Sequence, residues 1–201
     1  MVRLAISVEG QTEEKFVNKS LVPYLQKRKI YIQPILLAGG GDVYIPRVKK
    51  DLNNLARSFD KVTTFYDFYG FRGKDADENK ESLEQKILDS VAVPLRDRII
   101  PYVQMYEFEG LLFSSPAAIE NNVHHNGLSD WATEILNEFD GDPERINDSE
   151  QTAPSKRLLK KTDYIKTVHG PEIALEIGLD RLREKCSGFN AWMNQLEELS
   201  K

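Results

Sequence analysis

The sequence predicts an α/β fold, with a mainly parallel four-stranded sheet followed by a C-terminal extension of short helices. In the first half, apolar segments of strand length alternate with amphipathic helical segments, which is the pattern of β-α-β units. Right-handed crossovers between such units place successive strands parallel in one sheet. From Pro116 onward strand patterns are absent, and short helical segments follow one another.

The first predicted strand is the most informative segment. Residues 2–8, VRLAISV, are mostly apolar and typical of a strand covered on both faces. The strand ends at Glu9, and a helix is expected from about Glu13 to Lys29, with Thr12 as its cap. Pro23 lies inside that helical segment and predicts a kink or a division.

The later elements continue the same alternation. Further strands are predicted at residues 30–37, 61–67 and 98–104, with helices at about 44–57 and 81–91 between them. Beyond them, helices are predicted at 130–139, 155–161, 171–182 and 189–199. We therefore expect an α/β part, residues 1–115, and a helical extension, residues 116–201, that packs on it to form one structural unit.

Composition limits the class of protein. A chain of 201 residues fits a single domain, and no apolar run approaches the roughly 18 residues of a membrane span. The N-terminal apolar stretch is too short for a secretory signal, so we expect a cytoplasmic protein without a membrane partner.

Cysteine, histidine and net charge limit the kind of site. One cysteine and three histidines argue against a disulfide framework and a structural zinc site, so a metal here would be a hard cation bound by oxygen. The net charge of -5 gives no global attraction to nucleic acid. A phosphate-bearing substrate would need a local basic patch or bound cations.

Four acidic residues follow the predicted strands. Because parallel strands share one carboxyl edge, Glu9, Asp67, Glu107 and Glu109 are expected to converge there. Carboxylates in such a place suit Mg²⁺ or Mn²⁺. The alternative, that each is a solvated acid at the start of a loop, is weakened because three acidic positions are expected on one edge. Glu13, in the first helical turn, is sufficiently explained by the helix dipole.

Basic residues supply candidates for binding phosphate. Arg72 lies in the glycine-containing segment after the third strand. The segment APSKRLLKK begins a predicted helix that carries Lys156, Arg157 and Lys160, with Lys166 a little beyond. These side chains are predicted to position phosphates, and a solvated basic face is an equally simple alternative.

Several sequence segments together resemble those of known families. VEGQTEE at a first strand, with an aspartate-glycine segment after a later strand, resembles the Toprim (topoisomerase-primase) fold of the OLD (overcoming lysogenization defect) nucleases. FYDFYGF, IPYVQMYEFEGLLF, and APSKR with a downstream Tyr-Ile-Lys are similar to the bacterial family called domain of unknown function 4276. Members of that family often accompany ATPases of the ABC or SMC type.

The Toprim resemblance implies a four-stranded parallel sheet, a glutamate at the position of Glu9 acting as general acid or base, and an acidic motif that binds magnesium. Toprim proteins typically carry Asp-x-Asp in that motif. Here Asp67 is followed by Phe68 and Tyr69, so the second aspartate is missing. From the topology we expect Glu107 or Glu109 to take its place.

The leading hypothesis is a Mg²⁺- or Mn²⁺-dependent phosphodiesterase or nuclease of Toprim type, acting with an ABC- or SMC-type ATPase in genome or phage defence. Its alternative is a catalytically degenerate Toprim module that serves an ATPase as a binding or regulatory partner. The sequence leaves open whether the substrate is DNA or RNA, and whether the protein forms a homodimer.

Overall fold

The computed structural model describes residues 1–200 and confirms the α/β fold class. Its parallel sheet contains β1 (Val2–Val8), β2 (Ile30–Leu36), β3 (Lys61–Asp67), β4 (Ile99–Ile100) and β5 (Val103–Gln104). β1 lies between β2 and β3, and β4 and β5 both pair with β3. Since all of these pairs are parallel, β1 and β3 direct their carboxyl ends to the same edge of the sheet.

Helices cover the sheet and form most of the second half of the chain. They are α1 (Gln11–Phe16), α2 (Val22–Gln26), α3 (Ile45–Ser58), α4 (Lys80–Ser90), α5 (Glu109–Leu112), α6 (Pro116–Val123), α7 (Leu128–Glu138), α8 (Pro154–Lys161), α9 (Lys166–Ile177), α10 (Leu179–Lys185) and α11 (Ser187–Glu198). A π-helical turn covers Val17–Leu21, and 3₁₀ turns cover Phe68–Gly70, Val93–Arg98, Pro143–Arg145 and Glu150–Thr152. No helix within residues 1–200 is both long and apolar enough to cross a bilayer.

The fourth predicted strand is broken in two, which corrects the expected four-stranded sheet to five strands. Pro101 interrupts the strand because it has no N–H to donate to the sheet. At the next residue, Tyr102, the Thr64 hydroxyl takes the place of the backbone hydrogen bonds between strands. It accepts a hydrogen bond from the N–H of Tyr102 (2.8 Å) and donates one to the Tyr102 carbonyl (2.8 Å). The side chain of Thr64, on β3, thus holds the chain in place between β4 and β5.

The segment after β1 also differs from expectation. The helix begins at Gln11, and Thr12 is buried within it, so Thr12 is not the cap. The cap contact comes from Glu13, whose Oε2 accepts a hydrogen bond from the backbone N–H of Gly10 (2.9 Å). The division predicted at Pro23 is present, because a π-helical turn separates α1 from α2.

The helix predicted at 171–182 is wrong in its bounds. α9 begins at Lys166, with Pro171 inside it, and Gly178 at φ +76° separates it from α10. The start of α9 is fixed by His169, whose Nδ1 accepts a hydrogen bond from the backbone N–H of Ile165 (2.9 Å). A side-chain cap of this kind defines the first turn although a proline follows shortly after.

The last helix packs on the sheet. Trp192 of α11 stacks on Tyr102 (4.5 Å between ring centroids) and Phe65 (5.3 Å), and its indole N–H donates to Oγ1 of Thr63 (2.8 Å). One apolar cluster runs from β1 through to α11. Because the C-terminal helices share this core, α9 is held firmly against α1 at the carboxyl edge of the sheet.

Candidate functional site

Five carboxylates gather at the carboxyl edge of the sheet. Glu9 follows β1, Asp67 ends β3, Glu13 lies in α1, Glu107 lies between β5 and α5, and Glu109 is the first residue of α5. The negative charges of the other four carboxylates all act on Asp67 and raise its pKa. The structure therefore brings together the four acids singled out from sequence, and adds Glu13; their functional roles stay predictions.

Two oxygens in this acidic cluster have neither solvent nor a partner. Oε2 of Glu9 and Oδ1 of Asp67 are fully buried and accept no hydrogen bond within the described structure. A buried carboxylate oxygen normally has a donor, because an ionised group without one is costly to remove from water. Within residues 1–200, no hydrogen-bond donor offsets the cost of burying these two oxygens.

The cluster raises the pKa of its own members. Burial, followed by the charge of Glu13, raises the pKa of Glu9 to about 7. Burial raises the pKa of Glu109 to about 7 as well, even though a lysine nearby opposes the shift. The pKa of Asp67 is raised well above its usual range by burial and by the neighbouring carboxylates, and the pKa of Glu13 is raised mainly by burial.

Lys166 is the cation of this cluster. Its Nζ lies 3.4 Å from Oε1 of Glu109 and 3.9 Å from Oε1 of Glu107. Burial opposes the charge on Lys166, but Glu109, Glu107 and Asp67 outweigh burial and raise its pKa. A lysine at the first position of a helix also opposes the helix dipole. Its position is therefore explained by the acids it faces.

Glu107 is the most fully partnered acid. Its Oε2 accepts a hydrogen bond from the backbone N–H of Ser155 (2.8 Å), and its Oε1 accepts one from the Ser155 hydroxyl (2.8 Å). These contacts fix the N-terminus of α8 to the acidic cluster. Glu107 is thus less available to a ligand than Glu9 or Asp67.

The donor set suits a hydrated hard cation rather than a closed metal cage. Within residues 1–200, no three acidic, histidine or cysteine side chains are already arranged around a common ion position. Mg²⁺, however, is usually held by only one or two protein carboxylates and keeps several waters. The partnerless oxygens of Glu9 and Asp67 are the candidates for such a pair of ligands.

The basic residues proposed from sequence do not join the acids. Nε of Arg72 lies 2.8 Å from Oδ1 of Asp42, and both side chains are about half exposed. Lys156, Arg157 and Lys160 instead line a cavity of about 350 Å³ between α7 and α8, whose other lining residues include Trp131 and Ile135 but no acid. The basic cavity and the acidic cluster are linked through α8, since Ser155 in the first turn of this helix is bonded to Glu107.

Comparison with protein families now identifies the family. A model of the family described as domain of unknown function (DUF4276) matches residues 8–197. The chain belongs to this family. The match covers every residue of the acidic cluster and of the basic cavity, so both are features of the DUF4276 region.

Solved structures resemble this DUF4276 protein over its whole length. The C-terminal region of the Burkholderia pseudomallei OLD protein is 15% identical, with a TM-score of 0.55 and 100% of each chain covered. The C-terminal region of the Xanthomonas campestris pv. campestris OLD protein is 16% identical, with a TM-score of 0.48, covering 99% of this chain and 94% of that one. A comparison with curated proteins found no match. The likeness to the Burkholderia structure shows the fold and confirms the OLD-like resemblance seen in the sequence.

Sequence reasoning missed two members of the cluster. From the sequence, the helix dipole is a sufficient explanation for an acid at Glu13. In the structure, however, the Glu13 side chain is buried, and the positive charge of Lys166 partly opposes the rise of its pKa. Lys166 was grouped with the basic helix, although it is the lysine of the Tyr-Ile-Lys phrase that carries the DUF4276 resemblance. The unfavourable position of Lys166 at a helix start becomes visible only in the structure, where α9 begins at Lys166 rather than at the expected residue 171.

Gly70 shapes the wall of the cluster. A Cβ atom at this position would lie 2.0 Å from Oε2 of Glu9 and 2.7 Å from its Cδ. Such a contact is impossible, so any larger residue must displace the Glu9 carboxylate. Glycine is required here by close approach, since the backbone of Gly70 is not left-handed.

We expect Gly70→Ala to weaken divalent-cation binding about tenfold or more, because the added methyl group displaces the carboxylate of Glu9, a candidate ligand. The end of the Glu9 side chain can rotate away, so the free energy of unfolding is expected to fall by less than about 1.5 kcal/mol. Calorimetric titration with Mn²⁺ measures the first effect, and urea unfolding the second. The double variant with Glu9→Gln should bind no more weakly than Glu9→Gln alone; additive losses would contradict this link.

Proposed function

We propose that this protein is a Mg²⁺- or Mn²⁺-dependent phosphodiesterase that cleaves nucleic acid, a nuclease of Toprim type. One observation carries the proposal: the buried, partnerless oxygens of Glu9 and Asp67 lie within five carboxylates at the carboxyl edge of a parallel sheet. The resemblance of VEGQTEE and the segment at Asp67 to the OLD nucleases supports the same chemistry.

Glu9 and Asp67 are the residues proposed to hold the ion. When bound, a divalent cation would supply an activated water and neutralise charge at the phosphoryl group. Without an ion the pKa of Glu9 is raised to about 7, so protons and a divalent cation would compete for this carboxyl group near neutral pH. Glu13, fixed by the backbone N–H of Gly10, keeps the edge negative and so favours capture of a cation.

Positive charge in the proposed site comes from Lys166 and from the basic cavity. The ammonium of Lys166 lies against Glu109, where it can contact a phosphate that reaches the acidic edge. Lys156 and Lys160, one helical turn apart on α8, are proposed to hold the next phosphates along the strand. Such local charge is needed because the whole chain, at -5, repels nucleic acid.

A degenerate module that docks on an ATPase is the second candidate, and a specific observation favours it. The position of the second aspartate of the Toprim motif is occupied by Tyr69, and the described part of the chain has no ready three-ligand metal centre. In that case the acids would bind a protein partner or serve only the fold. An ABC- or SMC-type ATPase, implied by the family resemblance, is proposed as the partner in either case.

The test is cleavage of supercoiled plasmid, single-stranded DNA and RNA with Mg²⁺ or Mn²⁺. We expect metal-dependent cleavage by the wild type and a loss of about 100-fold or more in Glu9→Gln, because the ion loses one of its two ligands. Glu14→Gln is the matched control, since it removes the same charge from the adjoining helix α1 at a residue outside the acidic cluster, and full activity is expected. Absence of both cleavage and any metal-induced rise in melting temperature would favour the degenerate module.

A further inference from the structure

Three aromatic rings stand at the same edge as the acids. Phe68 and Tyr69 directly follow Asp67, and Tyr106 directly precedes Glu107. Ring centroids are 5.9 Å apart for Phe68 and Tyr69, 6.2 Å for Phe68 and Tyr106, and 5.5 Å for Tyr69 and Tyr106. All three side chains are partly exposed. We call these three rings the aromatic patch.

Within the aromatic patch, Phe68 packs against an apolar core cluster, whereas the two tyrosines are held by polar contacts. The backbone N–H of Tyr69 donates to the carbonyl of Tyr106 (3.0 Å), and the Tyr69 hydroxyl donates to Oδ1 of Asn147 (2.7 Å). Neither tyrosine belongs to the two apolar clusters that form the core of residues 1–200. Packing of the core therefore does not account for rings at these two positions.

Tyr106 also has a strained backbone. Its φ of +57° is in the left-handed region, which large aromatic residues rarely adopt. Strain of this kind persists where the surrounding structure fixes it, and it is typical of functional sites. Here the left-handed turn places the Tyr106 ring beside Tyr69 while Glu107 continues toward the acidic cluster.

Cations accompany the rings. Nζ of Lys74 lies 5.2 Å from the ring centroid of Phe68 and 5.9 Å from that of Tyr69, and it donates to the carbonyl of Phe71 (2.7 Å). Arg72, in the same loop, is exposed. Flat aromatic faces combined with cations are the surface on which proteins bind unpaired bases and their phosphates.

We propose that the aromatic patch stacks one unpaired nucleobase beside the phosphate that reaches Glu9 and Asp67. The inference rests on the proposed nuclease function and names its substrate class: nucleic acid that is single-stranded at the point of cleavage. A base is favoured over a protein partner because Asp67 and Glu107 adjoin the rings in sequence. A protein docked on the rings would cover the acids.

The test uses fluorescently labelled single-stranded DNA of 12 nucleotides and the blunt duplex of the same sequence. Binding is measured by anisotropy in EDTA, so that no cleavage is required. We expect the wild type to bind the single strand about tenfold or more tightly than the duplex. Tyr69→Leu should lower single-strand affinity about 5- to 100-fold and leave duplex affinity unchanged.

Tyr69→Phe is the matched control, because it keeps the ring and removes only the hydrogen bond to Asn147; it should retain single-strand affinity within about threefold. Melting temperatures show that each variant folds. Abasic scanning adds a second readout: removal of one particular base should weaken wild-type binding as much as Tyr69→Leu does, and should have no further effect in that variant.

Equal affinity for single strand and duplex, or unchanged binding by Tyr69→Leu, would overturn the proposal and leave the rings as a protein contact. Single-strand binding without metal-dependent cleavage would retain the aromatic patch and reject the nuclease. Cleavage of duplex and single strand alike, unaffected by Tyr69→Leu, would do the reverse.

Discussion

Asp67→Asn is expected to stabilise the metal-free protein and to abolish its response to divalent cations. Oδ1 of Asp67 is buried without a partner, and four other carboxylates repel the charge. Asparagine keeps the shape and removes the charge, so the free energy of unfolding should rise by about 1–4 kcal/mol. Urea unfolding at pH 8 in EDTA measures this gain. The rise in melting temperature on adding Mg²⁺ should disappear in the same variant.

The same substitution at Asp60 is the control. There the carboxylate accepts a hydrogen bond from the backbone N–H of Arg3 (2.8 Å), which lowers the pKa of Asp60. Asp60→Asn should therefore reduce stability slightly and leave the response to Mg²⁺ intact. Loss of stability in metal-free Asp67→Asn would mean that the Asp67 carboxylate supports the fold, and the metal-site proposal would be contradicted.

Opposite effects on stability and metal response would be characteristic of a site built for a ligand. If only stability were selected, a buried carboxylate next to other carboxylates would be replaced, since most buried charges are paired with an opposite charge. A protein retains it when a bound cation offsets the repulsion. The acidic cluster contains five acids and one lysine, so Lys166 neutralises only part of the negative charge that a bound cation would offset.

The part of the site that could be predicted from sequence is the part fixed by strands. The predicted bounds of β1 and β3 are those of the structure, because both strands are buried and read as continuous apolar or β-branched runs. The ends of these two parallel strands define the carboxyl edge of the sheet. The placement of Glu9 and Asp67 at that edge could therefore be predicted from the strand bounds. Pro101 is itself a signal for the break in the fourth strand, but the hydrogen bonds of the Thr64 side chain that hold the chain at the break act across strands and cannot be predicted from sequence.

Lys166 could not be placed in the same way, because its position depends on tertiary packing. α9 lies against α1 through close contact at Gly170, where a Cβ atom would be 3.2 Å from Cγ2 of Thr12 and 2.7 Å from the Tyr164 hydroxyl. Helical periodicity alone does not show which helices meet. The position of the basic cavity, formed between α7 and α8, was hidden for the same reason.

Stability without a divalent cation is expected to fall as pH rises from about 5 to 8. The pKa values of Glu9 and Glu109 are raised from 4.5 to about 7 in the folded protein. Between these values the folded state holds protons that the unfolded chain has released, so stability declines with pH. For the fully buried Glu109 the loss approaches about 3 kcal/mol. Urea unfolding at several pH values in EDTA measures the decline.

Glu109→Gln should flatten this decline, because the amide does not titrate, and Glu120→Gln, remote from the acidic cluster, should not. Mg²⁺ provides the decisive comparison, since protons and the ion compete for the same oxygens of Glu9 and Asp67. The rise in melting temperature caused by Mg²⁺ should therefore be small at pH 5.5 and largest at pH 8. A metal-induced rise that is independent of pH would place the ion elsewhere on the protein, because only ligands that titrate in this range link binding to pH.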